Sequence, residues 1–181
     1  MHHYDADRIN CIPWKPDELK DGCILASLAH AIMAVSYTHL DVYKRQVIGF
    51  KEAVATRKVF LLNEETGTQE TCFDDSALMG DENFSFMKQG ERYECKIKLF
   101  GRLGLPEESG LLACTVLERR VPLGVRKLAK VQVGQDVYYI PEGELKDIGD
   151  VDVIYYSSSR RDLIQVDNVL HANCHNPIFA D

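Results

Sequence analysis

Residues 93–99 read Tyr-Glu-Cys-Lys-Ile-Lys-Leu, and this stretch decides the fold class. Tyr93, Cys95, Ile97 and Leu99 recur at every second position, with one charged residue between each pair. Successive side chains of a β-strand point to opposite faces, so this alternation predicts a strand with one buried and one solvated face. We expect the four apolar residues to face the core together and the two intervening lysines to face solvent.

On both sides of this strand, short apolar segments alternate with turn-forming residues. Gly134-Gln135 separates two of these segments and predicts a two-residue type II′ hairpin turn, because the glycine comes first. Residues 50–57 are predicted as a short helix, 141–148 as one helical turn, and 157–161 as a loop. The other predicted strands are residues 58–62, 68–73, 111–121, 127–133, 136–140, 151–156 and 163–170.

The number and spacing of these strands predict a mainly β protein, of the β-rich α+β class. Strands and helices do not alternate as they do in a doubly wound sheet. Short strands at regular intervals with turn signals between them are typical of a small barrel or sandwich. The arrangement resembles the OB-fold or an SH3-like barrel, preceded by an N-terminal helix that the pattern does not assign to the barrel.

Composition excludes several classes of protein. The chain has 181 residues, 45% hydrophobic residues and a net charge of −7. These values are ordinary for a globular domain and exclude collagen, low-complexity disorder and a transmembrane bundle. The longest apolar run near the N-terminus, residues 23–34, is too short to cross a bilayer. With no signal peptide visible, we expect a cytoplasmic protein with no membrane partner, and scattered cysteines that are free buried thiols.

Residues 35–46, Val-Ser-Tyr-Thr-His-Leu-Asp-Val-Tyr-Lys-Arg-Gln, differ from the rest of the chain. This segment resembles the translation of a transposase adapter used in sequencing, joined head to head with its inverted copy. One permitted set of codons for it is an inverted repeat over nearly its whole length. The resemblance implies a chimera of three parts: an N-terminal fragment with one helix (1–34), an adapter-derived segment (35–46) and a small β-barrel domain (47–181). Residues of the adapter-derived segment are then expected to lie outside the barrel core.

Cys23 is a candidate catalytic residue. The apolar residues from Ile24 to Met33 are spaced as on one face of a helix, which places Cys23 at its N-terminus, where a thiolate is stabilised. Residues 22–34 resemble the nucleophile helix of papain-like cysteine peptidases, although Ile24 and Leu25 depart from that pattern. The resemblance implies a fragment of a cysteine hydrolase with Cys23 as nucleophile. The competing interpretation is a buried cysteine at the start of a core helix.

A local basic segment is the candidate binding site. Single-stranded nucleic acids bind to basic grooves that also carry aromatic stacking faces. This segment has that composition, but an ordinary solvated strand face has it too. The candidate binding residues are Arg119, Arg120, Arg126, Lys127, Lys130 and Tyr138.

The C-terminal residues His171, Cys174 and His175 are capable of binding zinc, but the second pair of ligands that zinc sites carry is missing. The chain also lacks the glycine-rich phosphate loops and the GxSxG and HExxH motifs. We therefore expect no metal and no cofactor. The leading interpretation is a non-enzymatic binding module whose partner is a protein or a single-stranded nucleic acid, and the cysteine hydrolase is the alternative.

Overall fold

The structure is a computed structural model that describes residues 44–79, 84–149, 151–176 and 178. The predicted N-terminal helix, Cys23 and most of the adapter-like segment lie outside these residues. Among these residues, one short helix, α1 (Ser76–Met79), and two 3₁₀ turns, Glu142–Leu145 and Ala172–Cys174, accompany the strands. The strands are β1 (Lys44–Glu52), β2 (Arg57–Asn63), β3 (Gln69–Asp74), β4 (Arg92–Leu103), β5 (Leu112–Leu123), β6 (Arg126–Val133), β7 (Asp136–Pro141), β8 (Val153–Val166) and β9 (Val169–Leu170).

The strands form one mixed sheet in the order β3-β2-β1-β4-β7-β6-β5-β8-β9. A parallel pairing of Phe73 in β3 with Asp162 in β8 connects the first strand of this order to the eighth. The hydrogen bonds therefore form a closed ring of eight strands, from β3 to β8 in this order. The prediction of a mainly β chain is therefore confirmed.

The antiparallel pair of β4 and β8 crosses this ring. Nine residue pairs join the two strands, from Cys95↔Val166 to Leu103↔Tyr156. The first residues of β4 pair with β1, and Lys98 pairs with Tyr139 of β7. The β4–β8 pair is thus shared by two closed paths of strands, β1-β2-β3-β8-β4 and β5-β6-β7-β4-β8.

The inward face of β4 agrees with the sequence prediction. Cys95, Ile97 and Leu99 are buried in the main core, and Tyr93 packs against it while partly exposed. The opposite face is less solvated than the prediction required. A second buried cluster that includes Tyr139 covers part of it, and the lysines at 96 and 98 are only partly exposed.

The predicted loop at residues 157–161 is wrong, because β8 runs without a break from Val153 to Val166. The serines in this stretch pair with the end of β4, where Gly101 lies opposite Ser158. A methyl group on Gly101 would lie 1.8 Å from the carbonyl oxygen of Ser157. Pairing with β4 therefore decides the structure of this polar run, and its turn propensity does not.

The predicted helix at residues 50–57 is also wrong, since Phe50 and the two residues after it complete β1. The expectation that residues 35–46 lie outside the core is wrong for Arg45, which is 2% exposed and pairs with Asn63 and Tyr93 on the two sides of β1. Ladder hydrogen bonds come from the backbone, so a strand incorporates residues whatever their origin. Tyr37, Leu40 and Val42 lie outside the described residues, and the three-part division of the chain stays a prediction.

The predicted hairpin at Gly134-Gln135 is confirmed. Val133 pairs with Asp136 across the two-residue turn, and Gly134 has φ +61°. Glycine adopts this positive φ without the steric cost that a side chain would bring.

We expect Gly101→Ala to lower the free energy of unfolding by about 3 kcal/mol, because the new methyl group meets backbone and not a movable side chain. Urea denaturation of the full chain measures the change. Gly143→Ala is the matched control, since a methyl group there has no atom within 4 Å. Equal midpoints for the two variants would contradict the close approach of β4 and β8.

Candidate binding surface

One row of paired residues crosses six strands on the face opposite the main core. Each member of the row is the register partner of the next. We call this row, together with Arg160 and Phe100 beside it, the belt. From β1 to β7 the row consists of Lys51, Lys58, Phe73, Asp162, Lys98 and Tyr139.

Arg160 is the centre of the belt. It lies on β8 between β3 and β4, and its guanidinium carbon is 4.6 Å from the ring centroid of Phe73 and 4.7 Å from that of Phe100. Both distances are within the range of cation–π attraction. The Phe100 side is open, since this residue is 51% exposed. The belt thus presents a half-exposed aromatic residue to solvent next to an oriented cation.

The belt carries an excess of positive charge. Lys51 and Lys58 are exposed and directly opposite each other, and like charges in this position destabilise a sheet. Asp162 is the one acid of the row and contacts two cations, Arg160 at 2.6 Å and Lys98 at 3.4 Å. With four cations and one carboxylate, the belt carries a net positive charge.

A second polar cluster lies on the inner side of the same strands. Arg45 donates a hydrogen bond from Nη1 to the carbonyl oxygen of Cys95, and its other nitrogens lie 3.6 Å from Glu70 and 3.9 Å from Asp136. Asp136 also accepts a 2.7 Å hydrogen bond from the side chain of Asn63. The cluster joins β1, β2, β3 and β7 through side chains and reaches β4 through the backbone carbonyl of Cys95.

Burial sets the protonation of this inner cluster. Desolvation raises the pKa of the Glu70 carboxyl, and the hydrogen bond from Tyr138 and the charges of Arg45 and Arg161 only partly oppose it. Desolvation and the nearby Glu70 likewise raise the pKa of Tyr138, which keeps its hydroxyl as a donor. Among the described side chains, Oε2 of Glu70 and Nε of Arg161 are buried without a hydrogen-bond partner. Such a cluster is costly to disturb one member at a time.

The structure divides the basic segment that the sequence singled out. Arg119 donates to Glu142 at 2.8 Å and to the carbonyl oxygen of Leu145 at 3.0 Å. Arg120 is exposed, and its backbone N–H donates to the same Glu142 carboxylate. Arg119 therefore holds the β5 strand against the 3₁₀ turn at 142–145.

The other members of that segment do not share one face. Lys130 pairs with Tyr139, whereas Tyr138 pairs with Val131, so Lys130 and Tyr138 point to opposite sides. Tyr138 is 3% exposed and has no open ring for stacking. Nε of Arg126 donates to a backbone carbonyl at 3.3 Å, and Lys127 is exposed.

The candidate metal ligands lie in and beside the 3₁₀ turn Ala172–Cys174. His171 is buried, with Nε2 2.8 Å from Asp75 and Nδ1 accepting the backbone N–H of Asn173. Cys174 is a buried member of the second cluster, and His175 is exposed. In the part of the chain that the structure describes, no three His, Cys, Asp or Glu side chains are grouped to hold a metal ion.

The four described cysteines are free and buried, as the sequence predicted: Cys72, Cys95, Cys114 and Cys174. Burial raises the pKa of the Cys95 thiol to about 12 and that of Cys114 to about 11. These thiols are therefore poor nucleophiles. Cys23 lies outside the described residues, so its proposed catalytic role stays a prediction.

Sequence reasoning missed the belt because its members are distant in the chain. Lys58, Phe73 and Asp162 become neighbours only through the register of β2, β3 and β8. The available signal was the alternation of Arg160 and Asp162 within one strand, which the loop assignment concealed. Among the described residues, no helix is long and apolar enough to cross a membrane.

Comparison with known proteins adds no assignment: the sequence matches no protein-family model and no curated protein.

The raised pKa of Glu70 predicts a pH dependence of stability. Its folded-state pKa lies above the ordinary value of 4.5, so between the two values the folded chain holds a proton that the unfolded chain has lost. Stability from this group is complete below the unfolded-state pKa and falls as the pH rises through the folded-state pKa. We expect Glu70→Gln to remove this decline, as measured by urea midpoints from about pH 4 upward.

Glu65→Gln is the control, because Glu65 is an exposed glutamate of the β2–β3 turn. It should keep the wild-type pH slope. The same slope in Glu70→Gln as in wild type would show that Glu70 does not hold its proton in the folded state.

Proposed function

We propose that this chain is a non-enzymatic binding module that holds a single-stranded nucleic acid across the belt. The observation that carries the proposal is Arg160 lying over Phe73 and Phe100, with exposed lysines on the same face. Aromatic rings stack with bases of any sequence, and cations contact the phosphates between them. The belt supplies both kinds of group.

The strand order supports an OB-fold for the first closed path. β1, β2 and β3 form a meander, β8 pairs in parallel with β3, and β4 lies between β8 and β1. An OB-fold barrel has this connectivity if β4 and β8 are taken as its fourth and fifth strands. β5, β6 and β7 are then an insertion in the loop between them. OB-folds bind oligonucleotides on the face of strands 2 and 3, which here carries Lys58 and Phe73.

The positions of the charged residues matter more for this proposal than the net charge of the chain. A net charge of −7 repels nucleic acid at long range. At short range, the inner acids Glu70 and Asp136 point away from the belt and are partnered by Arg45, Arg161 and Asn63. Counterion release depends on the phosphates that are contacted, so a local belt is sufficient for salt-dependent binding.

We expect full-length protein to bind a labelled oligothymidylate at low ionic strength, with affinity falling steeply as salt is added. Lys51→Ala with Lys58→Ala should make the log–log salt slope shallower by about 1.4, because each single-strand phosphate contact contributes about 0.7. Phe100→Ala should weaken binding by about 1–3 kcal/mol at nearly the wild-type slope, because stacking carries no charge. Fluorescence anisotropy over a series of salt concentrations measures both.

Two control variants test the location of the site. Lys88→Ala with Lys146→Ala removes two exposed lysines outside the belt and should leave the slope at the wild-type value. Arg120→Ala with Lys127→Ala tests the β5–β6 segment instead. A slope that changes in this second pair but not in the belt variant would move the site to that segment. No binding at micromolar concentrations would overturn the proposed function.

A further inference from the structure

We propose that Asp162 occupies a phosphate subsite of the belt and competes there with the ligand. The subsite is formed by Arg160 and Lys98, and its ligand class is the phosphate group of a polyanion. This inference rests on the proposed function and adds to it a built-in restraint on affinity.

Two cations from different strands converge on one carboxylate. Nε of Arg160 contacts Oδ1 of Asp162 at 2.6 Å, and its second nitrogen contacts Oδ2 at 3.1 Å. Nζ of Lys98 lies 3.4 Å from the same Oδ2. A guanidinium fork with an added ammonium is the donor set that also suits a phosphate.

The cations are held in place independently of Asp162. The rings of Phe73 and Phe100 orient the guanidinium of Arg160, and the Nζ of Lys98 is 5.9 Å from the ring centroid of Phe100. Lys98 is also anchored in the β4–β8 ladder directly opposite Asp162. Without the carboxylate, the two positive groups would keep their positions, and Arg160 would lose the carboxylate that it contacts, while Lys98 would still interact with Glu144.

The site opens toward solvent on the side of Arg160. The side chain of Arg160 is 45% exposed, and those of Asp162 and Lys98 are each 13% exposed. A ligand phosphate therefore approaches past the guanidinium and meets the position that the carboxylate fills.

The restraint has a physical consequence for selectivity. A tethered group acts as if present at an effective concentration of the order of millimolar, so a single free phosphate competes poorly with Asp162. A polymer that also contacts the lysines of β1 and β2 and stacks on Phe100 has additional free energy with which to displace it. The wild-type belt should therefore bind oligonucleotide and reject inorganic phosphate.

The test compares wild type with Asp162→Asn, using labelled oligothymidylate and, separately, inorganic phosphate. Asp162→Asn should bind oligonucleotide about fivefold more tightly, which corresponds to about 1 kcal/mol for a partly exposed ion pair. Its salt slope should be steeper by about 0.7, for one further phosphate contact. Relative to chloride at equal ionic strength, phosphate should raise the melting temperature of the variant more than that of wild type, whose smaller rise reflects the general stabilisation of folded proteins by phosphate.

Matched variants separate this effect from a general change of charge. Asp147→Asn removes one exposed carboxylate outside the belt and should give neither gain. Arg160→Gln added to Asp162→Asn should abolish both gains. Asp162→Ser makes the same measurements possible with a smaller side chain if the asparagine variant folds poorly.

The outcomes distinguish this inference from the proposed function. Equal oligonucleotide affinity and equal phosphate response in wild type and Asp162→Asn would overturn the subsite. The proposed function would still stand if the belt variants weakened oligonucleotide binding. A larger phosphate stabilisation of Asp162→Asn than of wild type, with no oligonucleotide bound by either protein, would support the subsite and overturn the function. Equal gains in Asp147→Asn would reduce the effect to net charge and overturn the subsite.

Discussion

The antiparallel pairing of β4 with β8 is the constraint on which the rest of the sheet depends. It joins strands that are far apart in sequence, and both closed paths of hydrogen bonds pass through it. The pairing needs a glycine at 101, because the backbone of Ser157 leaves no space for a side chain. Two irregularities in register, after Lys96 and after Phe100, let the long strands bend enough to serve both paths.

The same pairing sorts the charged residues of β8 between two environments. Arg161 points inward to Glu70 and the ring of Tyr138, whereas Arg160 and Asp162 point outward. A shift of one residue in register would exchange these faces, placing an ion pair in the core and a partnerless arginine at the surface. Burial of polar groups that are partnered only in the correct register therefore disfavours the alternative pairings.

The two faces also explain how an acidic chain presents a cationic surface. Glu70 and Asp136 lie inside, where they face the buried Arg45 and, for Glu70, the partly exposed Arg161, and the belt outside retains only Asp162 as an acid. The net charge of the chain includes Glu70 and Asp136, although both side chains are buried and do not contribute to the charge of the surface as exposed acids do. A function inferred from net charge alone would miss this separation.

Much of the local structure could be predicted from the sequence. Alternation along β4 identified the buried face of Cys95, Ile97 and Leu99, because the two-residue period of a strand is a local property. The turn at Gly134 was predictable for the same reason, since glycine tolerates the φ that a tight hairpin requires. The mainly β class followed from the spacing of such segments.

Residues that belong together only through long-range pairing could not be predicted. The serine-rich stretch of β8 has the composition of a loop and became a strand because β4 supplies its hydrogen bonds. Arg45 entered the core for a similar reason, since its carboxylate neighbours come from β3 and β7. The sequence by itself determined which segments form strands and which face of β4 is apolar. Tertiary structure alone decided which strands are neighbours, and therefore which side chains form the belt, because strand register depends on contacts between residues far apart in the chain.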